Sequence, residues 1–409
     1  MHVAVVETAS FGGLLHYSVQ LGNALAERGH DVDLITPKDN ELVHLPGAAH
    51  MRAVLAPPLR SAELPRRGRL PLLARKAGIA VRLTRAWARI LLETRRRDYD
   101  VVLVTCDTGM SVSTAGAYLL TALPGASPVA HVRHNVRSFN RGGGEEMFEA
   151  RTGLLVRLHR RLVERSRLVF LHGERSLNEF RQHAPNVPAA IIPHGDERVF
   201  GDPPPATDEE RILFFGDWRK VKGMPLLMEA FDALAERRPS ARLTIAGRPA
   251  IQDIDPDLIR SWAARHGERV KVIDHYVPIE EVPSVFAEAR VVATPYFVGY
   301  QSGVVHLAMT MGRAVVATDV GDLGSAVVDG ETGLVIPPND PEVLADALER
   351  VVSDADLANR MGVRARQRVL EHSGWETVAE RVEEALLASL NPPTGAESQP
   401  SDAPSDRRP

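Results

Sequence analysis

The 409 residues include one cysteine, Cys106. A lone thiol makes no internal disulfide and no thiolate metal cluster, which fits a reducing compartment, and it reads as a small buried residue. No uncharged apolar run reaches the roughly 18 residues that a membrane-spanning helix needs. The opening Met1-His2-Val3-Ala4-Val5-Val6-Glu7 has no basic region ahead of an apolar stretch, so it reads as a first strand and not a signal peptide, and the expected location is the cytoplasm. A Walker loop, a paired-histidine zinc motif, a Gly-x-Ser-x-Gly elbow and the full dinucleotide fingerprint are also missing. No metal site and no metal cofactor are therefore expected. Aromatic residues are sparse at 5%, yet 44% hydrophobic and 25% charged residues make an ordinary globular mixture and exclude a collagen-like or wholly disordered chain.

Charge is spread unevenly. Residues 1–200 hold 27 Lys+Arg against 19 Asp+Glu, and the remainder holds 22 against 34. Most of the basic excess lies in 60–97, where Arg60, Arg66, Arg67, Arg69, Arg75, Lys76, Arg82, Arg85, Arg89, Arg95, Arg96 and Arg97 face only Glu63 and Glu93. Within it Ile79, Leu83, Trp87, Ile90 and Leu91 recur at helical spacing, with Arg82, Arg85 and Arg89 on another face. Two readings follow: a peripheral contact with an anionic membrane, placing the protein at the inner face of the plasma membrane, or a surface helix whose apolar stripe covers a sheet. Nucleic acid is not an expected partner, because few aromatics interleave the basic residues and no known module is present.

Strand-like runs at Val3–Val6, Asp31–Thr36, Asp100–Thr105, Pro128–Val132, Leu168–Leu171 and Ala190–Ile192 alternate with helical stretches at about 14–28, 72–96, 147–165 and 176–183. A proline-rich linker, 199–210, interrupts the pattern. Alternation then resumes at Ile212-Leu213-Phe214-Phe215-Gly216 and continues through 243–247, 270–273, 291–295 and 315–318. The expected fold is α/β, with two doubly wound Rossmann-like domains, 1–198 and 211–372, facing a central cleft. A last helix lies at 373–389, and the tail 390–409 is too polar to bury much area. Ligands of such sheets sit beyond the carboxyl ends of the strands, so the cleft is the expected site.

Four strand ends carry candidate chemistry. Gly12 and Gly13 follow the first strand and precede a helix, where backbone N–H groups are free for an anion or hydroxyl, although a plain tight turn explains a Gly-Gly pair equally well. The fourth strand runs into His131-Val132-Arg133-His134-Asn135, where His134 can donate a hydrogen bond to a sugar or phosphate or shuttle a proton near neutral pH; the alternative is a histidine satisfied by loop carbonyls. Arg219 and Lys222 follow Phe215-Gly216-Asp217 and would clamp a diphosphate ahead of the next helix; the alternative is a solvated basic loop. Tyr296, Gln301, Ser302, Gly303 and Val304 follow the strand at 291–294 and open another helix. A plain N-cap explains Ser302 but not Gln301, Gly303 and two tyrosines, Tyr296 and Tyr300, read as exposed.

The chain resembles the glycosyltransferases of family 4, which have the two-domain GT-B architecture. The resemblance runs from Met1 to about Ser389. It is carried by Phe11-Gly12-Gly13, Gly29-His30-Asp31-Val32, His134-Asn135, Pro193-His194-Gly195, Arg219-x-x-Lys222-Gly223, Ile245-Ala246-Gly247-Arg248, Gly312 to Thr318, and Asp329-Gly330-Glu331-Thr332-Gly333. It implies a retaining, metal-independent transferase acting on a nucleoside-diphosphate sugar. The C-terminal domain would bind the donor through Gly216, Arg219, Lys222, Gly247, Tyr276, Val277, Tyr296, Gln301, Ser302, Gly303 and Val304, with the 274–277 loop against the base. The N-terminal domain would bind a sugar, glycolipid or small-molecule acceptor through His16, Arg133 and Asn135, with Gly12 and Gly13 near the diphosphate and His134 facing the transferred sugar. Catalysis would rest on His134, Arg219 and Lys222, and the last helix would return to the N-terminal domain. Cell-surface polysaccharide, glycolipid and secondary-metabolite glycoside synthesis are the processes the resemblance suggests.

Three positions depart from the family pattern. Where relatives often carry a pair of glutamates eight residues apart, this chain has Gly299 and Leu307, like a subset with a Gln-Ser-Gly loop, and Asp217 stands where arginine is usual. A catalytically impaired sugar-nucleotide-binding partner subunit and a nucleotide-sugar epimerase or hydrolase of the same fold are the alternatives.

Overall fold

A computed structural model describes residues 1–57, 69–106, 111–136, 138–139, 145–146, 154–205, 207–250 and 253–391. Arg60, Arg66 and Arg67 of the basic segment, the start of the expected helix at 147, and the tail beyond 391 lie outside the described residues.

The first half contains β1 (His2–Val6), α1 (Gly13–Glu27), β2 (Asp31–Pro37), β3 (His50–Leu55), α2 (Arg69–Arg95), β4 (Val101–Val104), α3 (Ser111–Ala122), β5 (Val129–Val132), a two-residue pair β6 (Ser138–Phe139) and β7 (Glu145–Glu146), α4 (Leu154–Arg165), β8 (Leu168–Leu171), α5 (Glu174–His183) and β9 (Ala189–Ile191). Seven strands form one sheet in the order β3-β2-β1-β4-β5-β8-β9, parallel throughout. The second half contains β10 (Arg211–Phe215), α6 (Met224–Arg237), β11 (Arg242–Ala246), α7 (Pro256–His266), β12 (Val270–Ile273), α8 (Val282–Ala287), β13 (Val291–Thr294), α9 (Gly303–Thr310), β14 (Ala314–Thr318), β15 (Gly333–Ile336), α10 (Pro341–Val352), α11 (Ala355–Ser373) and α12 (Trp375–Leu390). Its six strands are also parallel, ordered β12-β11-β10-β13-β14-β15. The central strands are near-continuous Val, Leu and Ile because helices cover both faces; β4 and β13 are buried from end to end.

In each sheet the order reverses beside one strand, between β1 and β4 and between β10 and β13, and the crevices that bind ligands open at those points. The edge strands β3, with only Leu55 fully buried, and β15, and the helix α3, whose Ser, Thr and Gly content is poor for a helix, escape the alternation read from sequence.

The last helix crosses back. Trp375, Val378, Ala379, Val382 and Leu386 of α12 pack with Val3, Val5, Leu21 and Leu25 in the core of the first domain, and Arg28 Nε donates to Glu383 at 2.6 Å. On α2, Ala86, Trp87 and Ile90 are buried against Val102, Val104 and Leu120, so the apolar stripe faces the sheet, while Arg89 and Arg52 both pair with the buried Glu93. No described helix is long and apolar enough to cross a membrane. The two domains also meet where Asp322 accepts from the Arg175 and Ser176 N–H groups at 3.0 and 2.9 Å, capping α5, whose own N-cap Gly173 supplies no side chain.

Candidate active site

On the C-terminal side, β10 ends at Phe215 and the chain turns through Gly216, whose φ of 111° is open only to glycine without strain. A Cβ built on Gly216 would lie 3.0 Å from Lys222 Nζ and 3.5 Å from Val304 Cγ2. The ammonium and the first turn of α9 therefore converge on one point beside a bare backbone. No carboxylate among the described residues pairs with Lys222, whose nitrogen lies 5.5 Å from the Tyr296 ring centroid. Ser302 is the N-cap of α9, but its hydroxyl meets Tyr296 OH at 3.3 Å and caps nothing, while its N–H takes Gln301 Oε1 at 3.0 Å. The backbone N–H groups that open α9 thus lie at the mouth of the crevice, where an anion is favoured. Arg219 is more loosely held, with its side chain 53% exposed and Nε 3.5 Å from Asp253. Asp217 is paired at 3.2 Å with Arg248, whose guanidinium lies over the Phe11 ring at 5.4 Å.

On the N-terminal side the structure brings in Glu41, a residue that no motif singles out. One of its oxygens accepts the Gly12 N–H at 2.7 Å and His16 Nε2 at 2.6 Å. Across the cleft, Tyr276 OH lies 2.9 Å from each carboxylate oxygen, and its ring meets Phe11 edge-on at 5.3 Å. Partial burial pushes the Glu41 carboxyl up, but the bonds from His16, Gly12 and Tyr276 outweigh it and hold it below the ordinary range, so the group is ionised. Gly12, with φ 86°, is the N-cap of α1.

Between these halves lies a buried cluster of imidazoles. His172 Nε2 and His134 Nδ1 are 3.1 Å apart, His194 stacks on His306 from the second domain at 4.8 Å, and Tyr17 meets His134, His172 and His194 edge-on. Burial lowers His134 to about 3 and His306 to about 4, so both are neutral at pH 7. In this state His134 is a hydrogen-bonding group, its Nδ1 held by His172 and its Nε2 buried and unpartnered. Glu197 lies beneath α9, 3% exposed, its Oε1 3.3 Å from the point a Gly303 Cβ would take. Burial first and the Asp196 charge second push its carboxyl well above the usual value, with Gln20 opposing. A protonated Glu197 leaves the anion-favouring end of α9 free of a competing negative charge. Its place directly after Pro193-His194-Gly195 and Asp196 was a signal open to reading in the sequence.

The other expected site residues have the following surroundings. Arg133 turns back to His159 and the Val136 carbonyl, and Asn135 is exposed. Gly13 opens α1 with space around it, whereas the missing side chain of Gly247 faces the Gly216 carbonyl, where two loops pack. Val277 is part of the apolar core of the second domain. The two tyrosines read as exposed are both buried, at 5% for Tyr296 and 6% for Tyr300; Tyr300 OH reaches over to Glu179 of the first domain at 3.0 Å. Leu307 is buried in the same core as Val277, so the replacement for a second glutamate faces inward and not toward ligand.

Comparisons with known proteins bear on this geometry. Residues 209–354 match the family model described as Glycosyl transferases group 1, and residues 12–195 match Glycosyl transferase 4-like domain. A D-inositol 3-phosphate glycosyltransferase of Corynebacterium diphtheriae is 28% identical over 404 residues, covering 91% of this chain and 88% of its own. A glycogen synthase of Mycobacterium tuberculosis is 32% identical over 187 residues, 45% of this chain and 44% of its own. Among solved structures, sucrose-phosphate synthase from Thermosynechococcus elongatus superposes with a TM-score of 0.69 at 21% identity, covering 94% of this chain and 98% of that one. Anabaena Alr3699/HepE in complex with UDP-glucose gives 0.68 at 17% identity, covering 95% and 100%. With a family model on each of its two parallel sheets and the two-domain fold of those neighbours, the chain belongs to the group 1 glycosyltransferases, family 4, of GT-B architecture.

Proposed function

We propose that the enzyme moves a sugar from a nucleoside diphosphate to a hydroxyl of a sugar or polyol acceptor, with retention of configuration and without a metal. One observation carries the donor assignment: Lys222 Nζ and the first turn of α9 converge beside Gly216 at the switch point of the second sheet. As the bond to the sugar breaks, negative charge grows on the leaving diphosphate. A preorganised ammonium, the Arg219 guanidinium and the α9 N–H groups stabilise that charge more in the transition state than in the ground state. His134, held by His172, would offer its free Nε2 side to the sugar.

The acceptor lies opposite, against α1. The inositol phosphate in the name of the corynebacterial relative supports a polyol-like acceptor, and the synthesis of cell-surface glycans, glycolipids or secondary-metabolite glycosides is the proposed setting. The test is a calorimetric panel of UDP, GDP, ADP and dTDP with their sugars on the full chain. Micromolar binding of one nucleotide, followed by nucleotide release only when acceptor is added, supports the reading; no binding by any of them would end it.

A further inference from the structure

We propose that Asp322 is a positioning residue: it clasps the first domain to the donor loop of the second and so sets the spacing between α9 and His134. The inference rests on the transferase reading above, which puts the donor diphosphate against α9 and the transferred sugar against His134.

Asp322 follows β14 in the second domain, yet its carboxylate serves α5 of the first. It is 2% exposed, and its two oxygens take the Arg175 and Ser176 N–H groups at 3.0 and 2.9 Å, with the Ser176 hydroxyl as a third donor. Gly173 gives α5 no side-chain cap of its own, so these donors would fall to water if the domains parted. The neighbouring pair of Arg175 and Asp319, at 2.7 Å, is about half exposed on both sides and screened by solvent, which leaves Asp322 as the buried element of the contact.

Gly173 shows how closely the carboxylate is seated. Its φ of −170° and ψ of 169° are extended values that any residue adopts, so the backbone does not call for glycine. A Cβ there would lie 2.2 Å from Asp322 Cγ. The position excludes a side chain because a carboxylate from the other domain already fills its space.

Both ends of the clasp lead to the crevice. On one side the Asp322 N–H donates to the Tyr300 carbonyl at 2.8 Å, and a Cβ on Gly321 would sit 2.0 Å from the Gly299 oxygen. The turn at 321–323 is thus packed directly on the loop that runs through Gln301 and Ser302 into α9. Tyr300 of that loop adds a second grip, its hydroxyl donating to Glu179 one turn further along α5. On the other side Gly173 directly follows His172, whose Nε2 is 3.1 Å from His134 Nδ1. Release of Asp322 would therefore move His134 relative to α9, while Gly216, Lys222 and α9, all of one domain, keep their places.

Two experiments on the full chain test this. The first needs neither donor nor turnover: spin labels on Arg181→Cys of α5 and Glu331→Cys of the second domain, both exposed positions, report the interdomain distance by pulsed electron resonance, the native Cys106 being buried. The labelled protein should give one narrow distance, and Asp322→Ala should broaden and lengthen it by several ångströms. Gly173→Ala, which alters the opposite domain, should do the same, and it decides the matter if Asp322→Ala does not fold. Unchanged distances would overturn the proposal. The second experiment separates positioning from mere docking of the domains. With the nucleotide found by calorimetry and its sugar donor, Asp322→Ala should lower kcat at least tenfold while the Kd of the nucleotide alone stays within threefold. Asp322→Asn, which keeps one of the two accepting oxygens, should recover part of the loss. A wild-type kcat in Asp322→Ala, or a nucleotide affinity that falls in step with kcat, would refute the assignment. If no nucleotide binds, the transferase reading fails instead, and the label distances still decide whether Asp322 sets the domain spacing.

Discussion

Replacing Lys222 with alanine should loosen a nucleoside diphosphate by about 30-fold, and replacing Arg219 by only about fivefold. The order comes from how each cation is held. Lys222 has no carboxylate partner among the described residues and sits beside Gly216 and the opening of α9, where its charge has nowhere else to go. A unit charge about 4 Å from a phosphate at an effective dielectric of about 20 is worth about 4 kcal/mol, and an open crevice halves that to about 2 kcal/mol, which is the 30-fold quoted. Arg219 is 53% exposed and already shares Asp253, so solvent screening leaves it less than ~1 kcal/mol. The assay is calorimetric titration of UDP, or whichever nucleotide binds, at low and moderate salt, since the Lys222 difference should shrink as the Debye length falls. A larger loss from Arg219→Ala than from Lys222→Ala, or affinities within twofold of wild type for both, would refute this account of the clamp.

Leu386→Ala removes a fully buried side chain from the core of the first domain and should cost about 3 kcal/mol, seen as a lower urea midpoint with an unchanged slope; an unchanged midpoint would mean that α12 is not part of that core. Glu197 has a raised pKa in the folded state, so its contribution is fully present below the unfolded value of about 4.3 and is lost as pH rises toward the folded one; Glu197→Gln should therefore gain stability relative to wild type as pH rises above the unfolded value, and parallel stability curves would show the carboxyl to be ordinary. His134→Ala should lower kcat by about 10-fold or more while donor Kd stays within threefold, because the proposed role sets the ring against the transferred sugar and not the diphosphate. Wild-type turnover in that variant would remove His134 from the site.

What could be read in the sequence was whatever depends on neighbours along the chain. The parallel sheets announce themselves because strands buried on both faces must be nearly all apolar, as Val101–Val104 and Val291–Thr294 are. Arg219, Lys222 and Ser302-Gly303-Val304 were visible because a strand end, a glycine and a helix start fall within a few residues of one another. Edge elements gave weaker signals: Met51, Arg52, Ala53 and Val54 in β3 are only partly buried, so the strand needs no strict pattern. Glu41 looked like any acid in a turn after β2. Its significance comes from Gly12, His16 and Tyr276, which are 25 to 235 residues away in sequence. The tyrosines at 296 and 300 were misjudged for the same reason, since a glycine-rich loop suggests exposure while the fold turns one ring toward Ser302 and sends the other to Glu179.

The return of α12 also dictates the order in which the molecule can be completed during synthesis. A chain emerging from the ribosome usually finishes its first domain before its second has been made. Here the first sheet lacks Trp375, Val378, Ala379, Val382 and Leu386 until nearly the whole protein has been translated, so one face of α1 stays uncovered while the entire second domain is being built. The domain made first is the last to be sealed, and a chain stopped after β15 would present that apolar face to chaperones instead of to its own helix.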